Sequence, residues 1–257
     1  LQFNQQRVIR VGSDPNYTTI QHAIDEAEDG DVVILPTGSY HPAHPTNEIK
    51  IIGKGITLTS ANPDNPDVVG TTILMGYRLY IATTESEAII DGITISNGRT
   101  TENTIFSGGI DILSCSPTIR NCVFSDCRVW GVSWVNNPTP TIDDDGMNGG
   151  SVQGGAIQII NGSPTVQNCQ FTGCSAMGGN GAPGDNGVGG HSAGFDGGWG
   201  GWGYGGAVYC GYNSNPTFTD CSFSNCYALG GDGGDGGNGI DYYPGGRGGS
   251  WEWSPTE

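Results

Sequence analysis

Ser116-Pro-Thr-Ile-Arg-Asn-Cys-Val-Phe-Ser-Asp-Cys127 recurs, with small changes, as Ser163-Pro-Thr-Val-Gln-Asn-Cys-Gln-Phe-Thr-Gly-Cys174 and Asn215-Pro-Thr-Phe-Thr-Asp-Cys-Ser-Phe-Ser-Asn-Cys226. Each segment reads as short strands around a polar corner, and such units repeated along a chain belong to stacked architectures. Cys122 and Phe124 are two residues apart, so they share one face, while Val123, Gln170 and Ser222 vary on the other. The corner residue (Asn121, Asn168, Asp220) is of the type that tolerates left-handed backbone and bonds locally. A further short strand precedes each unit after a glycine pair, at Gly108-Gly-Ile-Asp-Ile-Leu, Gly154-Gly-Ala-Ile-Gln-Ile-Ile and Gly205-Gly-Ala-Val-Tyr-Cys.

Pro117 and Pro164 are 47 residues apart and Pro164 and Pro216 are 52 apart, about twice what the strands need. The excess is inserted loop, at 128–153, 175–204 and 227–257, each leaving after the same Cys. Coils in register would lay these loops over one another.

Before the repeats, Tyr17-Thr-Thr-Ile-Gln-His-Ala-Ile-Asp-Glu-Ala carries apolar residues at Ile20, Ala23, Ile24 and Ala27. That spacing predicts a short helix capped by Thr18 or Thr19. Asp29-Gly-Asp-Val-Val-Ile-Leu-Pro-Thr-Gly-Ser-Tyr40 follows it. Strands are expected at Val32 to Leu35, Ile56 to Ser60, Thr72 to Leu74, Leu79 to Ala82 and Ala88 to Ile95.

With these motifs the chain resembles the parallel β-helix proteins of the pectin-lyase-like superfamily, in particular the Cys-containing SPT-NC repeat proteins of bacterial surface and secreted proteins. The resemblance covers roughly residues 7 to 226. It implies an all-β, right-handed parallel β-helix, a solenoid whose first coil is plugged by the N-terminal helix, with long Gly-rich insertion loops between coils. Thr37 stands where that family usually has Pro or Gly. The expected layout is a single domain over 1–257, with cap and first coil at 7–40, regular coils at 41–127, and then the three insertions. One fold of this kind hosts many functions, so activity must be argued from residues.

The chain of 257 residues carries 26 acidic and 9 basic side chains, a net charge of -17. That balance argues against nucleic acid or anionic membrane partners, which need clustered Lys and Arg. No stretch approaches the apolar length that spans a bilayer, so no membrane insertion is expected. The start at Leu1 reads as a processed or excerpted beginning.

Three cysteine pairs, Cys122/Cys127, Cys169/Cys174 and Cys221/Cys226, leave two readings open. The thiols either stack inside as small apolar groups or close a disulfide at each corner, as suits a secreted protein.

Chemistry of the lyase or hydrolase kind needs a basic residue beside carboxylates, or paired acids. The sole lysines are Lys50 and Lys54, and the Gly-His-Gly and Arg-x-Lys strings of β-helix hydrolases are missing from the sequence. Asp111 and Arg120 on neighbouring units are the best candidates for a groove, yet no catalytic constellation is found. Asp143, Asp144 and Asp145 form the best local ligand cluster for a hard cation, and calcium is the possible cofactor; an exposed acidic turn is the plainer reading.

Glycine is concentrated late, with 27 of 46 in the last 80 residues. Runs such as Gly178-Gly-Asn, Gly181-Ala-Pro and Gly184-Asp-Asn, matched by Gly230-Gly-Asp, Gly233-Gly-Asp and Gly236-Gly-Asn, have period three, the period of polyproline II. They read as packed loops rather than flexible linkers. All six tryptophans (Trp130, Trp134, Trp199, Trp202, Trp251, Trp253) lie in or beside the insertions. They either pin the loops or a neighbouring subunit, or offer faces to sugar rings. Asn16 and Asn161 sit in glycosylation acceptor patterns.

Together these readings predict an extracellular or cell-surface structural protein, a subunit of a filament or larger assembly that self-associates through the open end of the stack. The third insertion runs to Ser254-Pro-Thr-Glu257 without returning to Gly-Gly-Ala-Val-x-Cys, so either the chain is an excerpt of a longer stack or the next subunit covers an unpaired edge that invites another chain. The alternative is a carbohydrate-binding or polysaccharide lyase β-helix acting on acidic glycans with calcium.

Overall fold

The computed structural model describes residues 6–12, 17–42, 48–82, 87–100, 106–133, 145–186, 193–239, 245 and 247–249. Their strands pair exclusively in parallel and in register, so each turn of chain lies on the one before. Sheet 1 runs through Val8–Arg10, Val32–Leu35, Thr57–Ser60, Ile89–Asp91, Thr118–Arg120, Thr165–Gln167 and Thr217–Thr219. Sheet 2 runs through Gly38–Tyr40, Thr72–Met75, Thr94–Ser96, Val123–Ser125, Gln170–Thr172 and Ser222–Ser224. Sheet 3 comprises Glu48–Ile52, Arg78–Ala82, Ile110–Leu113, Ile157–Ile160 and Val208–Gly211. The chain visits sheets 1, 2 and 3 in turn, which is a parallel β-helix.

The insertions do not leave the stack directly after the second cysteine. Each opens on one more strand, Arg128–Trp130, Ser175–Met177 and Tyr227–Leu229, and with Arg99–Thr100 these form sheet 4. The first two insertions also close on short paired strands, Val152–Gln153 and Gly203–Tyr204. Insertion therefore begins about three residues later than the sequence suggests. The expected strand from Ala88 to Ile95 is two strands, parted at Gly92, whose φ of +62° is left-handed.

Corners follow residue chemistry. Asn121, Asn168 and Asp220 turn sheet 1 into sheet 2 at φ 54°, 50° and 53°, the left-handed region that Asn and Asp enter most easily. Asp126, Gly173 and Asn225 make the next corner at φ 53°, 66° and 53°. Between these corners a three-residue strand sends its middle residue inward, so Phe124, Phe171 and Phe223 form a column. Ring centroids are 4.7 Å and 4.6 Å apart, and the planes lie within 3° and 5° of parallel. Ile and Leu from the three main sheets fill the rest of the interior.

Two short helices interrupt the coils. Helix α1 (Ile20–Glu26) starts at Thr19, whose hydroxyl accepts from His22 N at 3.2 Å. It buries Ile20, Ala23 and Ile24 and packs on Val32–Leu35 and Glu48–Ile52. Lys54 Nζ donates to the carbonyls of Ile24 and Asp25, a cation at the helix C-terminus; Lys54 is thus a fastener of the cap. Helix α2 (Pro66–Thr71), which the sequence reading left out, is capped by Asn65. Among the described residues no helix is long and apolar enough to cross a membrane.

Candidate functional site

The glycine-rich insertions pack on each other through main chain. Donors fall three apart: Gly146, Gly149 and Val152 give to the carbonyls of Asp196, Trp199 and Trp202, and Gly178, Gly181 and Gly184 give to those of Leu229, Asp232 and Asp235. Three layers result. Residues 131–133 and 145–151 form the first, 178–186 and 193–202 the second, and 230–239 with 245 and 247–249 the third. Glycine is demanded by contact: a Cβ on Gly179 would meet Val132 O at 1.9 Å, and one on Gly198 would meet Met147 O at 2.0 Å.

Side chains join the layers in a matching pattern. Asp145 Oδ1 accepts from Asp196 N at 3.0 Å, Asn148 Oδ1 from Trp199 N at 2.8 Å and Ser151 Oγ from Trp202 N at 2.9 Å. One layer on, Asn180 Oδ1 accepts from Asp232 N, Asn186 Oδ1 from Asn238 N and Asp196 Oδ1 from Arg247 N. An acidic or amide residue followed by glycine therefore clamps one residue of the next layer: its side chain accepts that residue's N–H, and the glycine N–H donates to that residue's carbonyl. Asp145-Gly146 on Asp196 and Asn180-Gly181 on Asp232 are two such clamps.

Asp145, one of the expected cation ligands, thus has a structural partner in the next layer. Among the described residues no group of three or more metal-ligating side chains occurs; Asp143 and Asp144 lie outside the described residues. Trp199 and Trp202 are 47% and 46% exposed, and the Trp202 ring lies 5.5 Å from Tyr204, itself 6.1 Å from Tyr209. Trp130 is half-buried beside the first layer. Trp134, Trp251, Trp253 and Asn16 lie outside the described residues. Asn161 is exposed at a left-handed corner, φ 59°.

The cysteines correct one sequence reading. The six repeat thiols are unbridged. Cys122 and Cys127 stand on either side of the strand Val123–Ser125, and an extended rise of about 3.3 Å per residue carries them beyond the ~4.4–6.8 Å Cα separation that a disulfide spans. The same holds for Cys169/Cys174 and Cys221/Cys226. Each thiol instead donates to a carbonyl of the preceding coil: Cys122 to Ile90, Cys169 to Ile119 and Cys221 to Val166, with Cys127, Cys174 and Cys226 repeating the pattern on Ile95, Phe124 and Phe171.

Asp111 and Arg120, expected to share a groove, belong to different sheets. Arg120 pairs with Asp91 at 2.8 Å, and Asn121 Nδ2 donates to the other Asp91 oxygen at 2.9 Å. Asn168 Nδ2 donates in turn to Asn121 Oδ1 at 2.8 Å, an amide ladder along the corner. Asp111 points outward from sheet 3, in one row with Lys50, Tyr80, Gln158 and Tyr209, yet it is only 3% exposed. Ser107 N donates to its Oδ1 at 2.7 Å, and Arg78 lies 3.4 Å from its Oδ2. Arg78 also pairs with Glu48 and covers the Phe106 ring at 3.9 Å. Burial pushes the Asp111 carboxyl up to about 6, against the pull of the Ser107 amide and Arg78. This cluster fastens a returning loop to the sheet. Its two carboxylates, Asp111 and Glu48, share the one Arg78 guanidinium.

Lys50, the other basic candidate, pairs with Glu48 at 3.1 Å. The layered clamps escaped sequence reading, although the signal exists: Asn180 and Asp232 hold equivalent places 52 residues apart. Residues 81–250 match the family model of the right handed beta helix region. No curated protein and no solved structure matches the chain.

Proposed function

The chain belongs to the right-handed β-helix family, and from that premise we propose that it is a structural component of a larger extracellular assembly. In this reading the β-helix is the spine, the glycine segments are polyproline II strands carried as a platform on its flank, and the last coil is the joining surface. One observation carries it. Phe171 is fully buried, whereas Phe223, at the same position one coil later, is 51% exposed, with Tyr227 and Leu229 exposed beside it. Such a face is the interior of a β-helix met end-on, and burying it releases about 25 cal/mol for each Å² of apolar surface. The period-three main-chain bonds support the polyproline II reading, since that conformation has three residues per turn and leaves its amides for lateral partners.

Sedimentation velocity across a wide concentration range, with electron microscopy, tests the assembly. The expected result is concentration-dependent growth that Phe223→Lys abolishes. A monomer at every concentration, identical in the variant, would overturn self-association.

A second reading is favoured by Trp199 and Trp202, whose half-exposed rings stand on the platform. Aromatic faces of this kind suit sugar rings, so the platform would bind a neutral or calcium-bridged acidic glycan. Tryptophan fluorescence titrated with oligosaccharides, with and without calcium, decides it; no change with any sugar would sink the reading.

A further inference from the structure

The third glycine layer ends in three copies of the clamp dipeptide, Asp232-Gly233, Asp235-Gly236 and Asn238-Gly239, spaced three apart. One layer below, Asn180-Gly181 clamps Asp232 and the Asn186 side chain accepts from Asn238 N, while Pro183 stands below Asp235 and there only the Gly184 N–H donates. Among the described residues the side chains of Asp232, Asp235 and Asn238 accept no hydrogen bond, and the amides of Gly233, Gly236 and Gly239 donate none. All three acidic or amide residues are exposed. Beside them the last β-coil shows the Phe223 ring, the next place in a column stacked at 4.6 Å. At its corner stands Asp220, a carboxylate where the coils below hold Asn121 and Asn168. In that ladder the amide of each coil donates to the oxygen of the coil before it, so Asp220 is fit to receive a donor from above.

We infer that this end is a one-directional template for a further coil of the same repeat, whose extended, glycine-triplet insertion fills the three clamps. The partner is defined by chemistry. It presents a main-chain N–H and C=O at every third residue to the clamps, an amide side chain to Asp220, and an aromatic or aliphatic face to Phe223. The acceptor polarity requires the partner coil to run parallel to this one. The inference rests on the reading of the last coil as a joining surface, but it needs an uncapped coil and not self-association.

The test joins a copy of residues 205–257 to the full chain after Pro255, following the 51-residue offset that relates Asp196 to Arg247. Hydrogen exchange of the original last coil and third layer, residues 222–239, is the readout. Slowing of at least tenfold on extension is expected, and Asp232→Ala with Asn238→Ala should reverse most of it. Unchanged exchange in a folded extended chain would overturn the template.

The parent chain supplies a second arm that does not depend on the added unit folding. There Asn148→Ala and Asn180→Ala should lower Tm by a few degrees, while Asp232→Ala and Asn238→Ala leave it unchanged. Equal losses, or third-layer exchange already as slow as that of residues 170–186, would mean that the clamps are filled in the parent, and the inference falls. A parent chain that stays monomeric in sedimentation refutes self-assembly and leaves this result standing.

Discussion

The rings of Phe171 and Phe223 lie 4.6 Å apart and within 5° of parallel, yet the first is wholly buried and half of the second meets solvent. Two residues alike in sequence, register and stacking thus differ in how much of the ring meets solvent.

That difference fixes the cost of truncation. Phe171→Ala should destabilise the chain by about 3–5 kcal/mol, the range for a buried Phe that leaves a cavity. Phe223→Ala should cost less than half of that, because its outer face is already hydrated. Urea unfolding of both variants checks the ratio, and equal losses would show that the last coil is covered in solution.

Glycine substitution separates platform from spine. Gly179→Ala places a methyl 1.9 Å from Val132 O, whereas the nearest atom to a Cβ on Gly230 is 3.6 Å away. The first should cost roughly 3 kcal/mol in overpacking and open the loops to protease while the β-signal in circular dichroism persists. The second should be neutral, or stabilising by about 0.4–1 kcal/mol through the unfolded chain.

Asp111 sets a pH slope. Its carboxyl lies at about 6 in the folded chain against an ordinary 3.8, so the native state holds the proton more tightly than the unfolded one. This contribution is complete below the unfolded value and is lost as pH rises to about 6, an effect of up to about 3 kcal/mol. The stability difference between Asp111→Asn and the parent should therefore change between pH 4 and 6 and be flat above. A difference that is constant across that window would show the carboxyl to be unperturbed.

Asp31 has the opposite sign. Burial pushes its carboxyl up, but the Arg7 guanidinium and the amides of Glu28 and Arg7 outweigh this and hold it below 3.8. The contribution is present above the unfolded value and lost as pH falls through the folded one. Asp31→Asn should lower Tm at pH 7, with the loss vanishing in strong acid. Thermal scans at both ends of the range test it.

Thiol labelling reads the cysteine columns directly. Cys210 is exposed and Cys221 and Cys226 are partly exposed, whereas Cys122, Cys127, Cys169 and Cys174 are buried. The first three should label before unfolding, slowly at neutral pH because burial pushes their thiols up. The buried four, and Cys115, which is also buried, should label only on denaturation. Mass spectrometry finding Cys122 joined to Cys127 would contradict the fold.

Much of the spine is written in short patterns. The parity of Cys122 and Phe124 and the left-handed tolerance of Asn121 are local properties, and they recur, so strand, face and corner were legible without the structure. Asp111 was not legible in the same way. Its position in Ile110–Leu113 reads as an outward polar residue, and the covering it receives from Ser107, just before that strand, and from Arg78 of the neighbouring strand depends on how the chain returns to the sheet. The fourth sheet was missed because Arg128–Trp130 and its equivalents lie directly after a cysteine that already looked like the end of a unit. The clamp at Asp145 was not legible for a related reason: its partner is the amide of Asp196, 51 residues away.

The glycine layers are held by main chain, with every third residue given over to contact. The positions between those glycines form a grid of addresses at fixed spacing: some, such as Asn148 and Asn180, are clamps, and others, such as Trp199 and Trp202, turn half-exposed rings outward where the side chain can vary. A lineage carrying this chain is thereby free to rewrite the lettering on the plate while the plate itself is inherited intact.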